Sequence, residues 1–336
     1  MSIYSPSPEG IGILGTGSYL PKTVVPNSMI AKLTDTSEEW ILDKTGIRER
    51  HYAAANEAAS DMAVLAAQQA LINAGLTASD IDWIIVATST PDQPQPATAA
   101  LTQDGLGAYG SFAFDVNCVC AGFVVALHTA ARLVARPGSV GRALVIGSDV
   151  YSRILDFQDR RTAPLFGDGA GAVVIGSVDK KSGFLGTRLV TDGMFHDYIG
   201  VQAGGSRRPA CKDTLDQGEH YFRMRGREVR NYVIRELPVA VNELLDCAEI
   251  DPNQVNHFIP HQANGAMLSE VWERLGLKQA KAQLTVERHG NTGTASIPLA
   301  LDAANRSGAL IADELILMAG FGGGMTTATI LLRWGK

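Results

Sequence analysis

The chain has 336 residues, 46% of them hydrophobic and 19% charged, with 35 glycines; ordinary usage is roughly 7% glycine and about 25% charged residues. The apolar content excludes general disorder, and the lack of a three-residue glycine period excludes collagen. Twenty-nine basic residues against 35 acidic ones give a net charge of −6, and with no Lys/Arg block neither nucleic acid nor a membrane surface is an expected partner.

Four cysteines, Cys118, Cys120, Cys211 and Cys247, are no disulfide framework. The first ten residues carry no basic and apolar signal pattern, and no apolar run approaches the roughly 20 residues of a membrane span. A cytoplasmic enzyme of about two domains is the expectation.

In chain order, the segments 11–15, 83–87, 111–116, 143–147, 172–176, 256–259 and 314–320 read as strands, short and bounded by Gly or polar turns. Segment 61–74 reads as a helix ending at Gly75. Segment 122–135 reads as a helix ending before Pro137, and 227–245 as one kinked or broken at Pro238. The polar stretch 204–220 reads as a mobile loop. Strands alternating with helices predict an α/β fold, and strands apolar on both faces predict sheets covered on each side. Segment 76–87 overlays 250–261 at an offset of 174, and 143–147 overlays 315–319 at 172. The chain therefore reads as two similar halves joined near 176–190, residues 1–178 and 179–336.

Cys120 sits where a strand turns into a helix, and the positive end of a helix favours the nucleophilic thiolate. Ala121 and Gly122 leave room beside it; the plainer alternative is an ordinary buried cysteine. His261 and Asn264 follow the strand 256–259, where α/β folds gather functional groups. Asn291 lies in a Gly-rich turn, and Gly322, Gly323 and Gly324 can present backbone N–H groups as an oxyanion hole does. Together they point to nucleophilic catalysis on a thioester. Gly15 and Gly17 lack the third glycine of a dinucleotide site, and the 167–171 glycines precede a strand. A zinc site from Cys118, Cys120, His257 and His261 has a C-x-C spacing that does not suit the metal, so no metal is expected. Cys118, Cys211 and Cys247 are assigned no role.

The motifs 15–21, 36–41, 44–50, 120–123, 166–172, 261–264, 289–292 and 321–324 together resemble the β-ketoacyl-acyl-carrier-protein synthase III family of thiolase-superfamily condensing enzymes. The resemblance implies a thiolase-like duplicated five-layered α-β-α-β-α sandwich, with the nucleophile in the first half and His261 and Asn291 in the second. It implies that Cys120 takes an acyl group from coenzyme A. His261 and Asn291 then assist decarboxylation of a malonyl thioester, malonyl-acyl carrier protein in the family. The N–H groups of Cys120 and Gly323 would form the oxyanion hole. Trp40 and Arg160 would sandwich the adenine, with Asn264 near the pantetheine. It further implies a homodimer and no cofactor, the coenzyme A thioester being substrate.

Several positions depart from that pattern. Lys44 replaces an Arg, keeping the charge and losing the planar fork. Gln95 replaces an aromatic residue that crosses the dimer to close the acyl pocket. Ala266 replaces an Arg that docks the carrier protein, Arg227 replaces a small amide, Arg161 adds a charge, and 117–119 replaces a small apolar run. An acyl donor larger or more polar than acetyl is the expectation. The competing readings are an acyltransferase that moves its group to a hydroxyl, amine or second carrier without condensation, and an idle partner subunit.

Overall fold

The computed structural model describes residues 3–136 and 138–335. Two mixed sheets organise it. In the first, the strands run in the order Ile11–Tyr19, Gly169–Ser177, Ala143–Asp149, Trp83–Ala87, Phe112–Val116. In the second, the order is Ile3–Pro6, Gly183–Thr191, Thr326–Arg333, Leu315–Gly322, Val255–Pro260, Lys281–Ala282. Setting Ile3–Pro6 aside, the two orders match strand for strand. In each, the first two pairings are antiparallel and the last two parallel. The repeat offsets thus reflect one topology used twice.

Period-two alternation explains why these strands are apolar on both faces. Ile85, Val145 and Ile175 point to the middle of the molecule, while Ile84, Ile146 and Val174 point outward. In the second sheet Ile316 and Met318 point inward, and Leu317 and Ala319 outward. The central layer holds the helices Gly122–Val134 and Ser296–Arg306. Ala59–Ala74 and Thr98–Leu106 cover the outside of the first sheet; Gly226–Cys247 and Gly265–Trp272 cover the second. The result is the five-layered α-β-α-β-α sandwich. Glycine permits a close helix-on-sheet contact: a Cβ at Gly17 would lie 2.3 Å from the Ala70 backbone nitrogen.

Three readings change in detail. The link between the halves is the short segment 178–182, but Ile3–Pro6, from the front of the chain, pairs antiparallel with Gly183–Thr191 in the second sheet. Pro238 does not break its helix, which runs as one element over Gly226–Cys247. Segment 204–220 is not a bare loop. It holds the short helix Lys212–Asp216, the Gly204 N–H bonded to Arg208 O at 2.9 Å, and an Arg208–Glu219 ion pair. The helix Gly122–Val134 ends as expected, and Pro137 itself lies outside the described residues. No described helix is long and apolar enough to cross a membrane.

Candidate active site

The strand Phe112–Val116 leaves the first sheet and turns sharply into the helix that starts at Gly122. Val119 makes the turn with φ of 46°, a left-handed conformation that a β-branched residue adopts only under strain. Val119 donates its N–H to Asn117 Oδ1 at 3.2 Å, and Gly122 donates back to Val119 O at 2.9 Å. This holds Cys120 just before the helix, 7% exposed. Gly322, ending a strand of the second half, closes against it: a Cβ there would lie 2.8 Å from the Cys120 nitrogen. The two halves therefore meet at Cys120.

The expectation of a ready thiolate does not hold for the resting site. Burial, with the Asp149 charge, pushes the Cys120 thiol up to about 12, despite a bond from Tyr151 that favours the thiolate. Desolvation outweighs the favourable helix end. Tyr151 follows the strand Ala143–Asp149 and is 1% exposed. It stacks on Phe166 at 4.4 Å between centroids and meets Phe222 edge-on at 5.7 Å. This aromatic wall stands beside the sulfur.

His261 leaves the strand Val255–Pro260 with its N–H bonded to Ala319 O at 2.7 Å. Its Nδ1 lies 2.7 Å from Ser296 Oγ, which itself accepts from the Gln262 N–H at 3.3 Å. With the Ser296 hydroxyl donating to Nδ1, the ring proton lies on Nε2, facing the pocket; with Nδ1–H donating to Ser296, Nε2 is an acceptor. Burial takes the imidazole down to about 3, so His261 is neutral at working pH. Asn291 is pinned by its own backbone, donating to Leu165 O at 2.8 Å and accepting from the Gly167 N–H at 3.0 Å. Its Oδ1 accepts from the Gly293 N–H at 2.9 Å, which leaves the Nδ2 hydrogens as the free face.

These three residues line one pocket of about 510 Å³. Cys120, His261 and Asn291 are buried at its base; Trp40, Lys44, Arg160 and Arg161, more exposed, line its outer part. Arg160 Cζ sits 6.0 Å from the Trp40 ring centroid, so the two expected adenine-binding residues come together. Ala266 is also at the outer part, and Glu270 beside it pairs with Arg230 and Arg274.

Residues 114–193 match the 3-oxoacyl-[acyl-carrier-protein] synthase III model, and residues 245–334 match the C-terminal model of the same family. The acetoacetyl CoA synthase NphT7 of Streptomyces sp. (strain CL190) is 49% identical over 96% of this chain and 98% of its own. The β-ketoacyl-[acyl-carrier-protein] synthase III of Caldanaerobacter subterraneus subsp. tengcongensis is 41% identical over 97% and 98%. The chain belongs to the 3-oxoacyl-[acyl-carrier-protein] synthase III family. The crystal structure of the Aquifex aeolicus synthase III superposes with a TM-score of 0.88 at 39% identity, covering 97% of this chain and all of that one.

Against this synthase III framework, other expected site residues fall unevenly. Arg227 does not line the pocket; Gly226, Val229 and Arg230 do. Gly226 and Arg230, four apart, share the helix face toward the pocket, and Arg227, about 100° round from Gly226, is exposed beside it. Asn264 lines the pocket, but its amide is already engaged. Its Oδ1 caps the helix Gly265–Trp272 through the Met267 N–H at 3.0 Å, and its Nδ2 donates to Lys44 O at 3.0 Å. Lys44 is exposed and pairs with Asp43 at 2.8 Å. Gly323 is buried behind Gly322, nearest Val119 and Ile199. Gln95 is exposed and is not among the residues lining this pocket. His257 is taken up by Glu314 at 2.8 Å and Gln283 at 2.9 Å.

Sequence reasoning missed Tyr151, Asp149, Ser296 and Gly293. Asp149 is fully buried and accepts from Ser89, Thr90 and Thr294, tying the nucleophile's sheet to the Asn291 turn. Gly293 permits this: a Cβ there would lie 2.2 Å from Asp149 Oδ2 and 2.5 Å from Tyr151 Cε2. A glycine two residues after Asn291 was the one available signal.

Proposed function

We propose that this chain catalyses a decarboxylative Claisen condensation, with an acyl group carried on Cys120 and a malonyl thioester as the extending partner. The observation that carries the reading is the convergence of Cys120, His261 and Asn291 on one pocket, with the Asn291 amide oriented by the Gly293 N–H and the His261 ring held by Ser296. In the first half-reaction, Cys120 Sγ attacks the carbonyl of an acyl-coenzyme A. The backbone N–H groups of Cys120 and Gly323 would hold the oxyanion. Coenzyme A leaves, and a hard carbon–carbon bond formation becomes two easier steps.

In the second half-reaction, the malonyl thioester oxygen meets His261 Nε2–H and Asn291 Nδ2–H. Loss of carbon dioxide places negative charge on that oxygen, and two donors in a dry pocket stabilise it. His261 serves as a neutral donor, which its depressed pKa of about 3 favours, since no proton need be lost or gained. The enolate carbon attacks the acyl-Cys120 carbonyl, and collapse releases a 3-oxoacyl thioester.

Two features favour a coenzyme A-linked malonyl group over malonyl-acyl carrier protein. Ala266 stands at the outer part of the pocket where carrier docking calls for a cation, and the 49% identical relative is named as an acetoacetyl CoA synthase. The open edge strand Phe112–Val116, with Phe112 62% exposed, supports assembly as a homodimer in which Gln95 reaches the partner's pocket. A cytoplasmic location accords with the reading.

Intact-protein mass spectrometry with a panel of acyl-coenzyme A donors, followed by malonyl-coenzyme A or malonyl-acyl carrier protein, tests this. Expected are an acyl adduct lost in Cys120→Ala, and carbon dioxide release that falls at least about a hundredfold in His261→Ala. An adduct that passes to hydroxyl or amine acceptors without carbon dioxide release would instead establish the acyltransferase reading.

A further inference from the structure

Ser296 reaches the site on the same stretch of chain as Asn291. The chain runs from Asn291 through the short helical turn Gly293–Ala295 into the helix Ser296–Arg306, of which Ser296 is the first residue. Gly293 orients the Asn291 amide, and a little further on Ser296 Oγ lies 2.7 Å from His261 Nδ1. The imidazole has little freedom besides. Phe321 meets it edge-on at 5.1 Å between centroids, and the His261 backbone N–H is bonded to Ala319 O. His261 is 2% exposed and Ser296 1%.

The direction of the short bond follows from counting hydrogens. A serine hydroxyl has one hydrogen to donate and two lone pairs with which to accept. The Gln262 N–H occupies one lone pair at 3.3 Å. Were Nδ1 to carry the ring proton, it would occupy the second, and the Ser296 hydrogen would need an acceptor of its own. Among the described residues, Ser296 Oγ has no hydrogen-bond partner besides His261 and Gln262. The residue is buried, and a buried donor without an acceptor carries its whole desolvation cost. With the hydroxyl donating to Nδ1, every hydrogen in the group has an acceptor.

We propose that Ser296 sets the tautomer of His261: its hydroxyl donates to Nδ1, so the ring proton sits on Nε2 and is presented to the malonyl thioester oxygen. The inference rests on the condensation reading and assigns the residue that orients one of its two donors. Ser296 does not line the pocket and acts through His261, as a positioning residue. Its effect belongs to the decarboxylation. The other tautomer turns a nitrogen lone pair toward the oxygen on which charge develops, and repels it where Nε2–H attracts it. The segment 291–296 thus sets both donors, one through the Gly293 N–H and the other through the Ser296 hydroxyl.

The first measurement uses the full chain labelled with nitrogen-15 at its seven histidines. In a long-range proton–nitrogen correlation spectrum, the bare ring nitrogen resonates well downfield of the protonated one, and the ring C–H protons tell the two nitrogens apart. The His261 signals are those that disappear in His261→Gln. The expected result is one tautomer, protonated on Nε2. A proton on Nδ1 in the parent would overturn the proposal before any Ser296 variant is made. Ser296→Ala, its fold checked by melting temperature, should give a mixture of tautomers. It should slow carbon dioxide release from malonyl-coenzyme A about tenfold more than it slows acylation of Cys120, which is the worth of about one hydrogen bond. Equal losses in the two steps, with the tautomer unmoved, would show a packing role only and overturn the assignment. The spectrum needs no substrate: a parent protein that releases no carbon dioxide from any malonyl thioester defeats the condensation reading, whereas a tautomer indifferent to Ser296 defeats this inference alone.

Discussion

Asp168 shows how a residue close to the site carries a pH signature of its own. It is fully buried, and burial raises its carboxyl to about 6 even though Ser152 and the Ala53 N–H bond it. The folded value lies above the ordinary carboxylate value, so the stability this group contributes is complete below about pH 4. It is lost as the pH rises through about 6. Asp168→Asn should therefore gain stability relative to the parent between pH 4 and 7. The gain should reach about 3 kcal/mol, read as the pH-dependent difference in denaturation midpoints. A constant difference across that range would refute the assignment. At the same scale, Cys120, His261 and Asn291 could be singled out in the sequence because each stands at a turn with its own local signature, and the fold brings all three to one pocket. Tyr151 could not, since an aromatic residue after a buried strand reads as core, and only the fold brings its hydroxyl to a sulfur 31 positions earlier in the chain.

Among the elements, the strand Leu315–Gly322 packs directly on Cys120. Gly320 faces the Ala121 backbone and Gly322 faces Cys120. Gly322→Ala places a methyl group 2.8 Å from the Cys120 nitrogen, so either the strand or the turn must shift. Acylation of Cys120 should fall by about a hundredfold, the usual result of a displacement near 1 Å, while far-UV circular dichroism stays that of the parent. Acylation within twofold of the parent would show that the contact is slack. The glycine surplus thus has two uses. Gly322 and Gly293 serve the site, whereas Gly15, Gly17, Gly147 and Gly171 let helices lie directly on the sheets. The strands Trp83–Ala87 and Ala143–Asp149 were legible as apolar runs between turns. Gly183–Thr191 and Thr326–Arg333 were not, because threonine and arginine break up their apolar pattern. Ile3–Pro6 is only four residues long and pairs with a strand about 180 positions away, so nothing local announces it.

At the level of the whole molecule, two copies of one topology share a single central layer. Helices Gly122–Val134 and Ser296–Arg306 pack in one apolar cluster with strands of both sheets. Neither half has a complete inner face without the other, and Ile3–Pro6 leaves the first half to extend the second sheet. Chains 1–178 and 179–336 expressed separately should fail to give a cooperative thermal transition, and neither should take an acyl group. Independent folding of either would show that the central layer is dispensable. The high pKa of the Cys120 thiol has a further consequence, for oxidative damage. Peroxides attack thiolates, and a buried sulfur held near 12 offers almost none. Cys211 is exposed, and bonds from Thr214 favour its thiolate. Peroxide treatment followed by peptide-mapping mass spectrometry should therefore find Cys211 oxidised before Cys120; equal oxidation of the two would refute this.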